Sequence, residues 1–140
     1  MKSEIDRIFD MLSWESSREE QERGMKLARH IENISVLIMP IEIKSVWENC
    51  AKVLAEKSDE KLRIYYIDLM KWLKDLNWPG AYVIYDRLTR VGDKSFTGAY
   101  RYCCRLAEQT NDMPWKAALN DMFADHERAL ARRSMNCEIQ

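Results

Sequence analysis

The chain holds 140 residues, of which 22 are Lys or Arg and 23 are Asp or Glu, so its formal net charge is -1. Apolar residues make up 46% and charged residues 32%, with four Gly and three Pro, a balance that favours a single helical globule, residues 1–140, over disorder or a β-sandwich. A near-neutral chain sets up no global field for nucleic acid or an anionic membrane, and no apolar run approaches the roughly 18 residues of a membrane span.

Ser3 with Asp6 reads as a capping box that opens a short amphipathic helix with Ile5, Ile8, Phe9 and Leu12 inward. Ser17 with Glu20 opens a second helix, whose Gly24, Leu27, Ala28 and Ile31 are expected inside, with Ile34 beyond them. Its Glu19, Glu20 and Glu22 suit the positive end of a helix. The stretch from Ile34 to Ile43 is apolar, partly β-branched and broken by Pro40, and is expected to be a buried connection with at most one strand-like or single-turn piece. A third helix is expected from about Lys44 to Lys57, burying Val46, Trp47, Cys50, Ala51 and Leu54, before a cap at Ser58 or Asp59.

The next helix carries Leu62, Tyr65, Tyr66, Leu69, Trp72, Leu73 and Leu76 at three- and four-residue spacings, with Ile64 and Ile67 suggesting burial on a second side. It ends where another begins. Asn77 is the expected N-cap, its side chain accepting from the amide of Gly80, with Pro79 in the first turn where a missing N–H costs nothing. Ala81, Ile84, Tyr85, Leu88 and Val91 form the following stripe, and the two helices are expected to pack as an antiparallel hairpin.

Gly92 is placed like a C-terminal cap, and Asp93 or Ser95 restarts a helix with Phe96, Ala99, Tyr100, Cys103, Leu106 and Ala107 inward. Asp112 and Pro114 repeat the roles expected of Asn77 and Pro79. The last helix carries Trp115, Ala118, Leu119, Met122, Phe123, His126 and Leu130 on one face and is expected to fray from Met135 to Gln140. Prolines 40, 79 and 114 stand 39 and 35 residues apart, within the 34 to 47 residues typical of helical-hairpin repeats. The expected fold is therefore all-α: a short right-handed α-α superhelix of HEAT-like hairpins, about seven helices in all.

Trp72-Leu73-x-Asp75-x-Asn77-Trp78-Pro79-Gly80-Ala81, with Trp47-Glu48-Asn49-Cys50-Ala51 upstream and Lys57-Ser58-Asp59 between them, resembles the bacterial family catalogued as domain of unknown function 5071. The resemblance covers about Gln21 to Leu88, and the segment after Gly92 adds nothing to it. It implies an all-α, horseshoe-like superhelix in a cytosolic bacterial protein, and implies no activity.

Catalytic and metal chemistry find little support in the residues. Of the histidines, His126 lies on an apolar stripe, where a satisfied core residue is the plain reading, and His30 flanks a buried face. Glu48, Asp68, Asp75 and Asp86 could supply a hydrolase with paired carboxylates, yet Asp75 is better read as tying its turn to backbone amides just beyond it. Trp78 reads either as an exposed stacking residue or as a hydrophobic staple at the helix entry. Cys103 and Cys104 are adjacent and so point about 100° apart on a helix. A zinc site would need His30, Cys50 or Cys137 to converge from far away. The four glycines at 24, 80, 92 and 98 stand singly, so nothing resembles a phosphate loop. No cofactor, no metal and no enzymatic activity are expected. The cysteines form no CxxC pair and no signal peptide precedes them, so a reducing cytosol is the simpler compartment.

Between Tyr85 and Ala107, five basic residues (Arg87, Arg90, Lys94, Arg101, Arg105) face two acids (Asp86, Asp93), a local surplus of three charges interleaved with tyrosines. A nucleic-acid reading of this patch is weighed below an acidic protein partner. Trp78, Tyr82, Arg87, Arg101 and Tyr102 are not needed for the apolar stripes and are of the types that anchor interfaces. The function expected is a cytosolic protein-interaction module, most concretely an immunity- or antitoxin-like protein that binds a partner such as a toxin. The alternatives are a hydrolase at the carboxylates or a helical-repeat nucleic-acid binder.

Overall fold

The computed structural model describes the backbone of residues 2–139 and the side chains of residues 2–135. The side chain of Cys137 and the residue Gln140 therefore lie outside the described residues. Among the described residues the chain is all-helical: α1 (Glu4–Leu12), α2 (Arg18–Ala28), α3 (Trp47–Ala55), α4 (Asp59–Leu62), α5 (Tyr66–Lys71), α6 (Ala81–Thr89), α7 (Phe96–Gln109) and α8 (Met113–Ile139). Single 3-10 turns at Ile34–Leu37, Lys44–Val46, Arg63–Tyr65 and Trp72–Lys74 join or extend them. With Asp59–Lys74 taken as one interrupted rod, the α elements make seven rods.

Capping residues set several of the helix starts. Ser3 and Asp6 form the reciprocal capping box of α1, Ser17 accepts from Glu20 at α2, and Ser58 accepts from Lys61 at α4. Asp112 Oδ1 accepts from the Trp115 amide at 3.1 Å, leaving Pro114 in the first turn of α8. The connection after α2 holds one 3-10 turn and no strand, with Ile34 and Leu37 buried. Met39 and Glu42, on either side of Pro40, take left-handed φ values.

The helices stack in the order of a short α-α superhelix. α1 packs on α2, α2 on α3, and α3 on α6; α5 then packs on α7 and α6 on α8, while α7 pairs with α8. The last two stacking contacts are those of one hairpin (α5, α6) laid on the next (α7, α8). Long side chains tie the layers at single backbone acceptors. Asn49 of α3 donates to Leu12 O of α1 at 2.8 Å, and Trp115 of α8 donates to Met70 O of α5 at 2.9 Å. Leu12, Leu37, Leu54, Leu62, Leu69, Leu73, Leu88 and Leu119 are buried in one continuous core with Trp72, Phe96 and Trp115. Each such side chain contributes about 1.5–3 kcal/mol on leaving water.

Four expectations need correction. The rod through Tyr66 is broken twice by 3-10 turns, so its stripe does not run straight: Leu76 is half-buried, and Ile64 is 78% exposed rather than buried on a second side. Leu27 and Leu130, expected inward, are 42% and 39% exposed. Gly92 does not cap by a left-handed turn, since the positive-φ glycine of the structure is Gly80; the amide of Gly92 instead donates to Asp59 Oδ2 at 2.9 Å. The last helix does not fray at Met135 but continues to Ile139.

Candidate functional site

The residues of the two tryptophan-bearing stretches meet across the α3–α6 contact. Trp47 lies edge-on to Trp72 and to Trp78, with centroids 5.9 and 5.7 Å away, and the Lys44 ammonium sits 5.7 Å from the rings of Trp47 and Trp78. Both buried indoles donate to proline carbonyls, Trp47 to Pro40 O at 2.8 Å and Trp72 to Pro79 O at 2.9 Å. Gly80 is the N-cap of α6 in the left-handed region, φ 82°. A Cβ there would fall 2.7 Å from Ala51 Cβ and 2.8 Å from Trp47 O, so the backbone of α6 enters against α3 only because Gly80 has no side chain.

This geometry replaces the expected role of Asn77. The Gly80 amide donates not to Asn77 but to Glu48 Oε2, at 2.5 Å, and Pro79 precedes the cap instead of filling the first turn. Asn77 is exposed, and its own amide donates to Asp75 Oδ1 at 2.9 Å, the turn-tying role expected of Asp75. Trp47, Trp72, Pro79 and Gly80 are thus brought together as a structural knot, and the exposed Asp75 and Asn77 lie on its rim. Of the carboxylates a hydrolase would draw on, Glu48 and Asp75 each hold a backbone amide, while Asp68 and Asp86 are exposed and Asp86 pairs with Arg90 at 3.3 Å.

Of the expected partner-binding residues, Arg87 and Trp78 are not exposed. Arg87 is buried and binds Asp59 Oδ1 at 2.6 Å and Lys57 O at 3.0 Å, so it is a strut between α6 and the start of α4. Burial acts to raise the Asp59 pKa, but the Gly92 amide and the Arg87 guanidinium outweigh it and hold the carboxyl below its ordinary value. Trp78 is half-buried against Trp47 of α3, so it is neither the exposed residue nor a staple within its own helix entry that the sequence offered. Tyr82 on α6 is exposed, as are Arg101 and Tyr102 on α7, two helices that touch each other at most marginally.

His126 is buried against the rings of Phe96 and Phe123, and its Nε2 lies 2.9 Å from Val91 O. Because a carbonyl only accepts, Nε2 carries the proton and Nδ1 is left buried without a hydrogen-bond partner among the described residues. Burial, with a smaller push from Arg133, lowers its pKa despite the Val91 bond. Burial pushes the Cys50 and Cys103 thiols up to about 12, which makes them inert packing residues. His30 is exposed, and no group of His, Cys, Asp and Glu able to hold a metal is found among the described residues.

Two surface features escaped the sequence. One is a trough made of two adjoining depressions, about 480 and 380 Å3, which share His30, Ile31 and Glu32. Ile5, Ile31, Ile34 and Tyr65 form its floor, and the exposed Leu27 and Ile64 border it. The other is a basic cleft of about 640 Å3 where the ends of α3 and α6 meet the second half of α8, lined by Lys57, Arg87, Arg90, Arg132 and Arg133. Lys57 borders both. The misfit of Leu27 and Ile64 with their stripes could have pointed to the trough; the Arg132-Arg133 pair late in α8 could have pointed to the cleft.

Residues 46–140 match the sequence model of a domain of unknown function, DUF5071, and the chain belongs to that family. The match takes in the segment after Gly92 but starts at residue 46, so it extends the expected resemblance at one end and leaves out residues 21–45 at the other, and it covers the α3–α6 knot. No curated protein and no solved structure matches the chain.

Proposed function

We propose that the chain is a cytosolic protein-interaction module, most concretely an immunity- or antitoxin-like protein that binds a partner protein. The observation that carries this reading is the trough: Leu27 and Ile64 stand 42% and 78% exposed beside a concave, apolar floor of partly buried Ile5, Ile31 and Tyr65. Apolar side chains left uncovered around a concavity mark surfaces that another molecule covers. The free thiols of Cys50, Cys103 and Cys104 support a reducing compartment. No helix of the described residues is long and apolar enough to cross a membrane. The toxin-binding form rests on analogy with other small domains; a secreted-toxin gene immediately upstream would favour it, and a metabolic operon would favour a catalyst.

On this reading the chain is not an enzyme. A second reading keeps Tyr82, Arg101 and Tyr102 as the anchors, favoured by 65% and 47% exposure of the two tyrosines. Affinity capture from the native cell, with mass spectrometry of what is retained, tests the choice. The wild-type chain is expected to retain one protein in near-stoichiometric amount that Ile64→Asp loses; equal retention by both removes the trough from the interface.

A further inference from the structure

We infer that the basic cleft is a second binding site, which takes a carboxylate-rich segment of the partner protein. The inference rests on the protein-binding reading for the kind of macromolecule, and on the cleft alone for the chemistry. Counting the ion-pair partners with the lining residues, Arg29, Lys57, Arg87, Arg90, Arg132 and Arg133 face Glu56, Asp59 and Asp86. Six cations against three carboxylates leave a surplus of three positive charges, in a chain whose net charge is -1. Internal duties do not absorb it. Arg87 is spent on Asp59, but Arg133 uses one donor on Arg90 O at 3.0 Å, Arg90 meets the exposed Asp86 at 3.3 Å, and Arg132, though it feels the charge of Asp125, has no ion pair within 4 Å among the described residues.

The surroundings suit an anion carried on a protein chain rather than on a nucleic acid. Helix C-terminal ends, not N-terminal ends, wall the cleft: Lys57 O and Arg90 O lie at the ends of α3 and α6 and are held by Arg87 and Arg133. The attraction comes from guanidinium forks, whose planar pairs of donors match a carboxylate. None of the eight lining residues is aromatic, so nothing in the cleft stacks a base. The cleft also adjoins the trough. Lys57 borders both, and the Arg29–Glu56 pair, bonded at 2.8 and 3.1 Å, spans the ridge between them. A partner chain whose apolar residues occupy the trough would carry its acidic residues over that ridge into the cleft.

The test uses the full chain and a fluorescently labelled oligoglutamate peptide, followed by anisotropy, with a single-stranded oligonucleotide of equal charge and inorganic phosphate as competitors. The peptide is expected to bind in a salt-dependent manner, to weaken about tenfold in Arg132→Glu, and to be unaffected by Arg101→Glu, which changes the net charge equally at an exposed site on α7. It is also expected to bind Ile64→Asp normally, so a failure of the trough reading leaves this result intact. No peptide binding, equal weakening by both reversals, or preferential binding of the oligonucleotide or phosphate would each overturn the inference. Circular dichroism of Arg132→Glu, an exposed position, checks that the fold is unchanged.

Discussion

Glu48 caps a helix to which it does not belong: from α3 its carboxylate accepts the Gly80 amide at the start of α6, 32 residues further along the chain. The charge suits the positive end of α6, and the bond is half-buried, so it fixes both the start of the helix and its register on α3. Glu48→Ala is expected to cost about 1.5 kcal/mol, within the range for a lost N-cap or charge-assisted bond. Asn77→Ala, at an exposed side chain with no cap to lose, should stay within about 0.5 kcal/mol of wild type. Urea denaturation of both variants checks the pair, and the reverse order would return the cap to Asn77.

Gly80→Ala is expected to be the costlier change. The residue sits at φ 82°, and the added carbon would meet Ala51 and the Trp47 carbonyl within 2.8 Å. Strain and overpacking together amount to roughly 3 kcal/mol. A melting temperature within two or three degrees of wild type would show that α6 can shift away from α3 cheaply.

Much of the fold was legible because it is written in local patterns. The serine caps, the stripe from Ala81 to Val91 and the Asp112–Pro114 start of α8 each depend on residues a few positions apart, and each is where periodicity put it. What was illegible depends on distant partners. Nothing near Asn77 announces that Glu48 would supply the cap, and nothing near Arg87 announces Asp59. Arg87 looked like a surface anchor because an arginine off the apolar stripe is usually solvated; here the turn at Lys57–Asp59 covers it. Ile64 failed for another reason: the 3-10 turn at Arg63–Tyr65 changes the pitch, so helical spacing no longer predicts which way the side chain faces.

Arg87→Ala should therefore act on stability. It removes the partner of a partly buried Asp59 and leaves the Lys57 carbonyl without its donor, a loss of about 2 to 3 kcal/mol after allowing for the partial exposure of the carboxylate. Chemical denaturation measures it. Unchanged stability would return Arg87 to the surface.

His126 gives the stability a pH dependence of known sign. Its folded pKa lies below the ordinary 6.5 because the ring is buried, with a smaller push from Arg133. Between the two values the unfolded chain binds the proton and the folded one does not, so stability rises with pH there. The contribution is complete above pH 6.5 and is lost as pH falls through the depressed value. Urea midpoints measured down to pH 5 should fall for wild type and fall less for His126→Gln, which keeps a donor for Val91 O. Parallel curves would show that the histidine titrates normally.

The central claim, a partner protein seated on the trough, is tested most directly by calorimetry with the captured partner. Ile64→Asp, a change at a side chain 78% exposed, should weaken binding by about tenfold or more, about 1.4 kcal/mol, with the melting temperature unchanged, while Arg101→Glu binds as wild type. Full affinity in Ile64→Asp together with a loss in Arg101→Glu would contradict the claim and place the interface on α7.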